Sequence, residues 1–251
     1  MHPIYALWSH PRSMSTAMER VMRERGDLDC HHEPFMYDYY LHRKVREMPH
    51  FEAETDRPIS YEAVRTMLLE RAARGPVFIK DMSYYVMPRI MDDAALSDVL
   101  VNCFLIRDPV ASIPSYFKLD PDVSLEEIGL EAQARHHAAL AERGINAPVI
   151  RAEDVRRDTS GTVSALWRAI GLPLADHAFS WQDEQPEDWK QVEDWHSSVS
   201  ASTGIAPITD AEVAQKKRKF DALVREHPRA QDYLDHHLPH YEMLKAHALK
   251  V

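Results

Sequence analysis

Two cysteines in 251 residues leave little room for a disulfide framework or a thiolate metal cluster. Cys30 and Cys103 sit in apolar surroundings without metal-ligand spacing and read as buried, reduced thiols of the kind a cytosol keeps. Long apolar runs are missing too. No stretch reaches the ~20 residues of a membrane span, and the opening Met-His-Pro-Ile-Tyr-Ala-Leu-Trp has no basic segment followed by an apolar run of signal-peptide length. The expectation is a cytoplasmic protein with no membrane partner. Positive charge is also in short supply: 30 Lys and Arg face 40 Asp and Glu, a formal net charge of -10. That excludes a phosphate-tracking nucleic-acid surface, which needs cations in excess. A small anionic ligand can still be held by a local cluster.

Histidine is abundant, with fifteen in the chain, but ligand spacing is not. The doublets His31-His32, His136-His137 and His236-His237 are adjacent pairs, which point to different faces of a strand or helix. His236 and His240 are four apart, yet Pro239 is expected to interrupt that helix, so no metal site is expected.

What remains is ordinary globular material, 45% hydrophobic and 28% charged, of a length that suits one compact domain over 1–251. Ile4 to Trp8 reads as a buried strand, Ser9 to Ser13 as a turn-rich loop, and Ser15 to Arg25 as a helix. Further strands are expected at Leu28 to His32, Val77 to Lys80, Val99 to Ile106 and Pro148 to Arg151. Helices are expected at Tyr61 to Arg74, Leu125 to Glu142, Ser160 to Ile170, Asp210 to Glu226 and Ala230 to Leu249. The alternation implies an α/β fold in three layers: a mainly parallel central sheet, helices on both faces, and a ligand crevice at the carboxyl ends of the strands. From about residue 174 the chain becomes mainly helical.

Two constellations carry chemistry. Leu7-Trp8-Ser9-His10-Pro11-Arg12-Ser13-Met14-Ser15-Thr16 lies where the first strand turns into the first helix. Unpaired N–H groups at a helix start, hydroxyls and an arginine make an anion cradle in kind, although a plain cap by Ser13 or Ser15 would use the same residues. The glycines and lysine of the Walker pattern G-x-x-x-x-G-K-[ST] are absent. The second constellation is Phe104 to Tyr116, with Arg107 at the end of the strongest strand, Asp108-Pro109 opening a helix, and Ser115 two turns on. A phosphate between Arg107 and Ser115 could receive both.

Together, Pro11-Arg-Ser-Met-Ser-Thr16 and Arg107-Asp-Pro…Ser115-Tyr116 resemble the two cofactor-binding signatures of sulfotransferases that use 3′-phosphoadenosine 5′-phosphosulfate (PAPS). The resemblance implies a P-loop-like sulfotransferase fold with PAPS as co-substrate, 3′,5′-ADP as product and no metal. It implies that Arg12, Ser13, Met14, Ser15 and Thr16 hold the 5′-phosphosulfate, and that Arg107 and Ser115 hold the 3′-phosphate. Two positions depart from the pattern. Met14 stands where the family often has glycine, and Met82, in Ile79-Lys80-Asp81-Met82, stands where many members carry the catalytic histidine. The base is therefore expected at the neighbouring strand end, His31-His32-Glu33-Pro34-Phe35. Glu33 comes first, because some bacterial members look similar there, and His32 second; Glu33 could instead simply pair with Arg12 or Lys80.

The expected reaction moves a sulfuryl group to a small-molecule acceptor, with Arg12, Lys80 and the helix start stabilising charge. Phe35, Tyr37, Tyr39, Tyr40, Tyr84 and Tyr85 are candidates to line the acceptor pocket, though each alone reads as packing. Trp189 to Thr203, which contains Lys190, Trp195 and His196, is expected to act as a lid, as a late segment does in the family. Rival readings are a nucleotide or small-molecule kinase, which would want the Walker lysine, a nucleotide-binding protein without chemistry, and an aromatic interaction module.

Overall fold

The computed structural model describes residues 1–47, 49, 57–181, 189 and 202–250. Strands β1 (Ile4–Ser9), β2 (Asp29–His32), β3 (Val77–Met82), β4 (Leu100–Ile106) and β5 (Val149–Arg151) pair in parallel, in the order β2-β3-β1-β4-β5. Around them lie α1 (Ser15–Glu24), α2 (Tyr61–Ala72), α3 (Ser83–Val86), α4 (Ala94–Ser97), α5 (Pro109–Phe117), α6 (Leu130–Glu142), α7 (Ala152–Arg157), α8 (Thr159–Ala169), α9 (Asp210–Glu226) and α10 (Arg229–Ala246).

Strict alternation along apolar strands divides the core in two. Ile4, Ala6, Trp8, Val77, Ile79, Phe104 and Ile106 face one side and pack with α2, α5, α6, α9 and α10. Tyr5, Leu7, Phe78, Cys103 and Leu105 face the other side and pack with α1, α7 and α8. A sheet buried on both faces needs near-continuous hydrophobic strands, and β1 and β4 supply them, while the edge strand β2 (Asp-Cys-His-His) is polar and mostly half-buried. The expected three-layer α/β architecture is what forms.

The chain runs from β1 out to β2, returns through β3, then crosses to β4 and β5 on the other side of β1. Strand order therefore reverses at β1, and the crevice beyond its carboxyl end is where such sheets bind ligands. Gln133, fully buried on α6, ties this end together by donating to Trp8 O (2.9 Å) and Leu105 O (3.1 Å).

Several expected elements change. The helix foreseen over Leu125 to Glu142 is a 3-10 turn (Glu126–Ile128) and then α6, separated by Gly129 at φ +83°. A Cβ at Gly129 would meet His10 Cβ at 3.0 Å, so only glycine allows the close approach that seats the β1–α1 loop on α6. Pro239 does not stop its helix: α10 runs through it. Both Pro239 and Asp235, whose carbonyl loses its N–H partner, are exposed, so the orphaned oxygen is open to solvent. α7 follows β5 directly, a polar segment without an amphipathic signal in the sequence. Cys103 is buried, its thiol pushed up to about 12 by burial, whereas Cys30 is partly exposed rather than buried.

Candidate functional site

The loop from His10 to Met14 turns by placing Arg12 (φ 62°) and Met14 (φ 76°) in the left-handed region. For residues with a Cβ this costs about 1–2 kcal/mol each, and Met14 adopts the conformation without being glycine. Met14 is the N-cap of α1 and its side chain makes no capping hydrogen bond, so the helix start with its N–H groups opens on the loop. Capping by Ser13 or Ser15, the plainer reading of these hydroxyls, does not occur. Ser13 Oγ is buried with no hydrogen-bond partner, an orphan that an anion oxygen would satisfy.

The second constellation closes onto the first. Arg107 donates from Nη1 to Arg12 O (2.8 Å), and its backbone N–H donates to His10 Nε2 (3.0 Å). Arg12 in turn donates from Nε to Ser115 Oγ (2.9 Å). Burial and the nearby guanidinium of Arg107 both push the pKa of Arg12 down, and burial, with Arg156 adding to it, does the same to Arg107. Two crowded guanidiniums are more stable with an anion between them. Burial, followed by Arg107, lowers His10 to about 3, so its imidazole is neutral and can accept the Arg107 N–H.

Arg107 and Ser115 open onto a cavity of about 560 Å³. Seven of its lining residues are Arg or Lys and two are Glu, a local excess of positive charge in an acidic protein. Arg151, Arg156 and Lys216 are lining residues that sequence reasoning missed. They come from β5, α7 and α9, and nothing in their local sequence marks them as converging.

At the carboxyl ends of β2 and β3 lies a buried charged cluster. Lys80 contacts Glu33 Oε1, and Tyr85 OH donates to Glu33 Oε2 (3.3 Å). Glu33 therefore pairs with Lys80, not Arg12, and it does so from a left-handed backbone (φ 38°) fixed by its N–H bond to Lys80 O (2.9 Å). His32 Nε2 lies 3.8 Å from Glu33 Oε1, and its Nδ1 is 2.6 Å from Glu19 Oε2. Glu19, wholly buried on α1, is the centre that sequence reasoning did not find. It also accepts from Arg23 Nε (2.9 Å) and Trp189 Nε1 (2.8 Å) and lies 3.8 Å from Lys80 Nζ. Burial opposes its charge, yet His32, Arg23 and Lys80 outweigh burial and hold its pKa well below the usual carboxylate range.

Asp81 was also passed over. Its carboxylate accepts from the N–H groups of Phe35 and Met82 (2.9 Å each), pinning the turn that carries Glu33. Burial raises its pKa well above the carboxylate range despite those two bonds, with Glu33 adding to the rise. Met82 is buried and takes a contact from Ser9 Oγ (3.4 Å to Sδ). It fills core space beneath the site.

Phe35, Tyr37, Tyr39, Tyr40, Tyr84 and Tyr85 are all at most 5% exposed, so they form a packed wall rather than an open pocket lining. Their hydroxyls are largely occupied: Tyr39 donates to Glu126 and Tyr40 to Glu127. Tyr85 bonds a predicted site residue, Glu33. Of the expected lid, Trp189, Ser202 and Thr203 are described; Lys190, Trp195 and His196 lie outside the described residues. Trp189 is buried, its ring centroid 6.2 Å from that of His32.

Comparison with known proteins places these observations. The family model described as "Sulfotransferase domain" matches residues 3–248. Branched-chain-amino-acid aminotransferase-like protein 2 of Arabidopsis thaliana is 26% identical over 261 residues, which cover 98% of this chain and 42% of that protein. Its companion, protein 1, is also 26% identical and is covered over 41% of its length, so the chain spans about two-fifths of the curated relatives it matches. Among solved structures, a sulfotransferase domain from the curacin biosynthetic pathway aligns with a TM-score of 0.47 and 11% identity, covering 90% of this chain and 98% of that one. Mouse sulfotransferase SULT7A1 complexed with PAP aligns with a TM-score of 0.44 and 11% identity, covering 93% and 88% respectively.

Proposed function

The chain belongs to the sulfotransferase domain family, and on that premise we propose that it transfers a sulfuryl group from PAPS to a hydroxyl or amine of a small-molecule acceptor. The observation that carries this reading is the direct contact of Arg107 and Ser115, which line a cation-rich cavity, with Arg12 of the loop that opens α1, 95 residues before Arg107. One end of a doubly charged nucleotide would sit against Arg107 and Ser115, and the other in the loop of Arg12 to Thr16. Binding energy from the non-reacting 3′-phosphate then orients the reacting end.

In the proposed step an acceptor oxygen or nitrogen forms a bond to sulfur as the bond from sulfur to the 5′-phosphate oxygen breaks, leaving the electron pair on 3′,5′-ADP. Arg12, Lys80 and the α1 N–H groups stabilise the charge that moves onto the departing phosphate. The acceptor's proton goes to Glu33, with His32 next in line at 3.8 Å. Glu19 acts as a positioning residue, holding His32 through Nδ1 and keeping Lys80 beside the two carboxylates. Met82 supplies no proton acceptor, consistent with the base standing at the end of β2. We read the chain as one domain, and its two free cysteines fit the cytoplasm. Among the described residues no helix is long and apolar enough to cross a membrane.

The test is direct. The thermal midpoint should rise with 3′,5′-ADP and not with ATP and magnesium; the reverse preference would point to a kinase. With labelled PAPS and an acceptor panel, Glu33→Gln should keep nucleotide binding and slow transfer by ~10²-fold or more. Unchanged turnover would remove Glu33 from the mechanism.

A further inference from the structure

The continuation of α10 through Pro239 creates a juxtaposition that the sequence hides. His236 and His240 lie one turn apart on one face of α10, and Glu131 projects from the first turn of α6 beside them. His236 Nε2 is 2.8 Å from Glu131 Oε2, and the two imidazole centroids are 5.6 Å apart. One ligand atom from each of the three residues lies within 4.8 Å of the other two. We propose that Glu131, His236 and His240 bind one divalent transition-metal ion, Zn(II) by donor type, which clamps the start of α6 to α10.

The donor set and its spacing support this. Two imidazoles and one carboxylate match a site that leaves a fourth position to water. With bonds of ~2.0–2.1 Å, tetrahedral ligand atoms stand about 3.3 Å apart, a value bracketed by the 2.8 Å and 4.8 Å separations here. Side-chain rotation is enough to close the difference. Glu131 and His236 are partly exposed, so an ion can enter.

The neighbouring groups leave the site available. Arg135 pairs with Glu131 through the other oxygen, Oε1 (2.6 Å), from a side chain that is 72% exposed and free to swing into water. His237 faces inward, its Nε2 2.8 Å from Leu125 O, and is a neighbour rather than a ligand. The cluster lies two residues beyond Gly129, which packs on His10 and Pro11 of the β1–α1 loop. A metal clamp there would brace the floor under that loop.

The experiment uses the full chain stripped with chelator, titrated with ZnCl2 by calorimetry at pH 7.5 and, in parallel, with CoCl2 by visible absorption. One equivalent of zinc should bind, and the thermal midpoint should rise by about 5 °C or more at a hundredfold excess over Kd. Affinity should fall at least tenfold between pH 7.5 and 5.5, as imidazole protonation competes. His240→Ala and Glu131→Gln should each weaken binding at least tenfold, while His177→Ala, distant in the fold, should leave it unchanged. Absence of binding by the wild-type chain, or equal binding by well-folded His240→Ala and Glu131→Gln, overturns the proposal. If a variant fails to fold, X-ray absorption of the wild-type zinc complex decides. Two imidazoles with oxygen donors support the site, and any other shell rejects it.

Discussion

Replacing Arg107 by alanine tests the proposed recognition of the 3′-phosphate apart from everything else the loop does. A charge-assisted hydrogen bond from a guanidinium to phosphate contributes about 1.5–3 kcal/mol, equivalent to a Kd change of about 10- to 140-fold. Arg107 has a second job, because its Nη1 bonds Arg12 O and holds the loop's left-handed turn. Truncation could therefore weaken binding by distorting the loop without any phosphate contact. Calorimetry with two ligands resolves this. 3′,5′-ADP carries the 3′-phosphate and 5′-AMP does not, while in the proposed mode both would reach the loop through the 5′-phosphate. Arg107→Ala should weaken 3′,5′-ADP by the full factor and 5′-AMP by threefold or less. Removing a like charge beside Arg12, whose pKa Arg107 lowers, returns part of any loop penalty and so favours a small AMP effect. Equal losses for both ligands would mean that Arg107 only props the loop, and no loss for either would place the 3′-phosphate elsewhere.

Two further outcomes follow from the buried charges. Glu19→Gln keeps shape but removes the charge that His32 and Lys80 share, so transfer should slow about tenfold or more, with nucleotide affinity nearly unchanged and the acid limb of the pH–rate profile displaced; Glu19→Asp should recover part of the rate, and a wild-type rate and profile for Glu19→Gln would dismiss its positioning role. His10 and His136, both lowered to about 3, and His237, lowered to about 4, are pushed down first by burial. The unfolded chain binds their protons near pH 6.5 and the folded chain does not, so stability is complete above that pH and drains away as pH falls toward 4, by about 1.4 kcal/mol per pH unit for each group. Urea unfolding at pH 7 and pH 5 measures this slope; His136→Gln should flatten it by one histidine's share, and a slope identical to wild type would show that His136 does not titrate on unfolding.

The parts of this protein legible in the sequence are those whose cause is local. β4 announces itself because Val-Asn-Cys-Phe-Leu-Ile is buried on both sides, and α5 because Asp108 caps it, its carboxylate accepting the Val110 N–H (2.8 Å). The meeting of Arg12 with Ser115 follows from parallel pairing of β1 with β4, which brings both loops to one edge. What stays hidden is set by tertiary environment. Glu19 lies on a helix whose polar positions read as a water-facing stripe, yet α1 is buried on nearly every side, because β2, β3 and Trp189 close around it. Pro239 signals a break by propensity, and the exposed outer face of α10 tolerates the one missing bond. The aromatic run at Tyr37 to Tyr40 carries hydroxyls that suggest a wet pocket, but Glu126 and Glu127, some 87 residues away, occupy two of them.

The charge balance at the ends of β2 and β3 bears on the proposal that the proton acceptor stands at the end of β2 while Met82 fills β3. Glu19 and Glu33 are two carboxylates; Lys80 and Arg23 are two cations within reach of them, so the cluster is neutral when His32 is neutral. In the proposed reaction, capture of one proton from an acceptor would leave it with a single positive charge at the moment negative charge gathers on the departing phosphate. A histidine at position 82 would sit in the apolar layer beside Ser9, where Met82 now packs, and its charged form would be penalised by burial. A base one strand over, as proposed, would stand against Glu19 and Lys80, whose fixed charges would stabilise either protonation state without needing water.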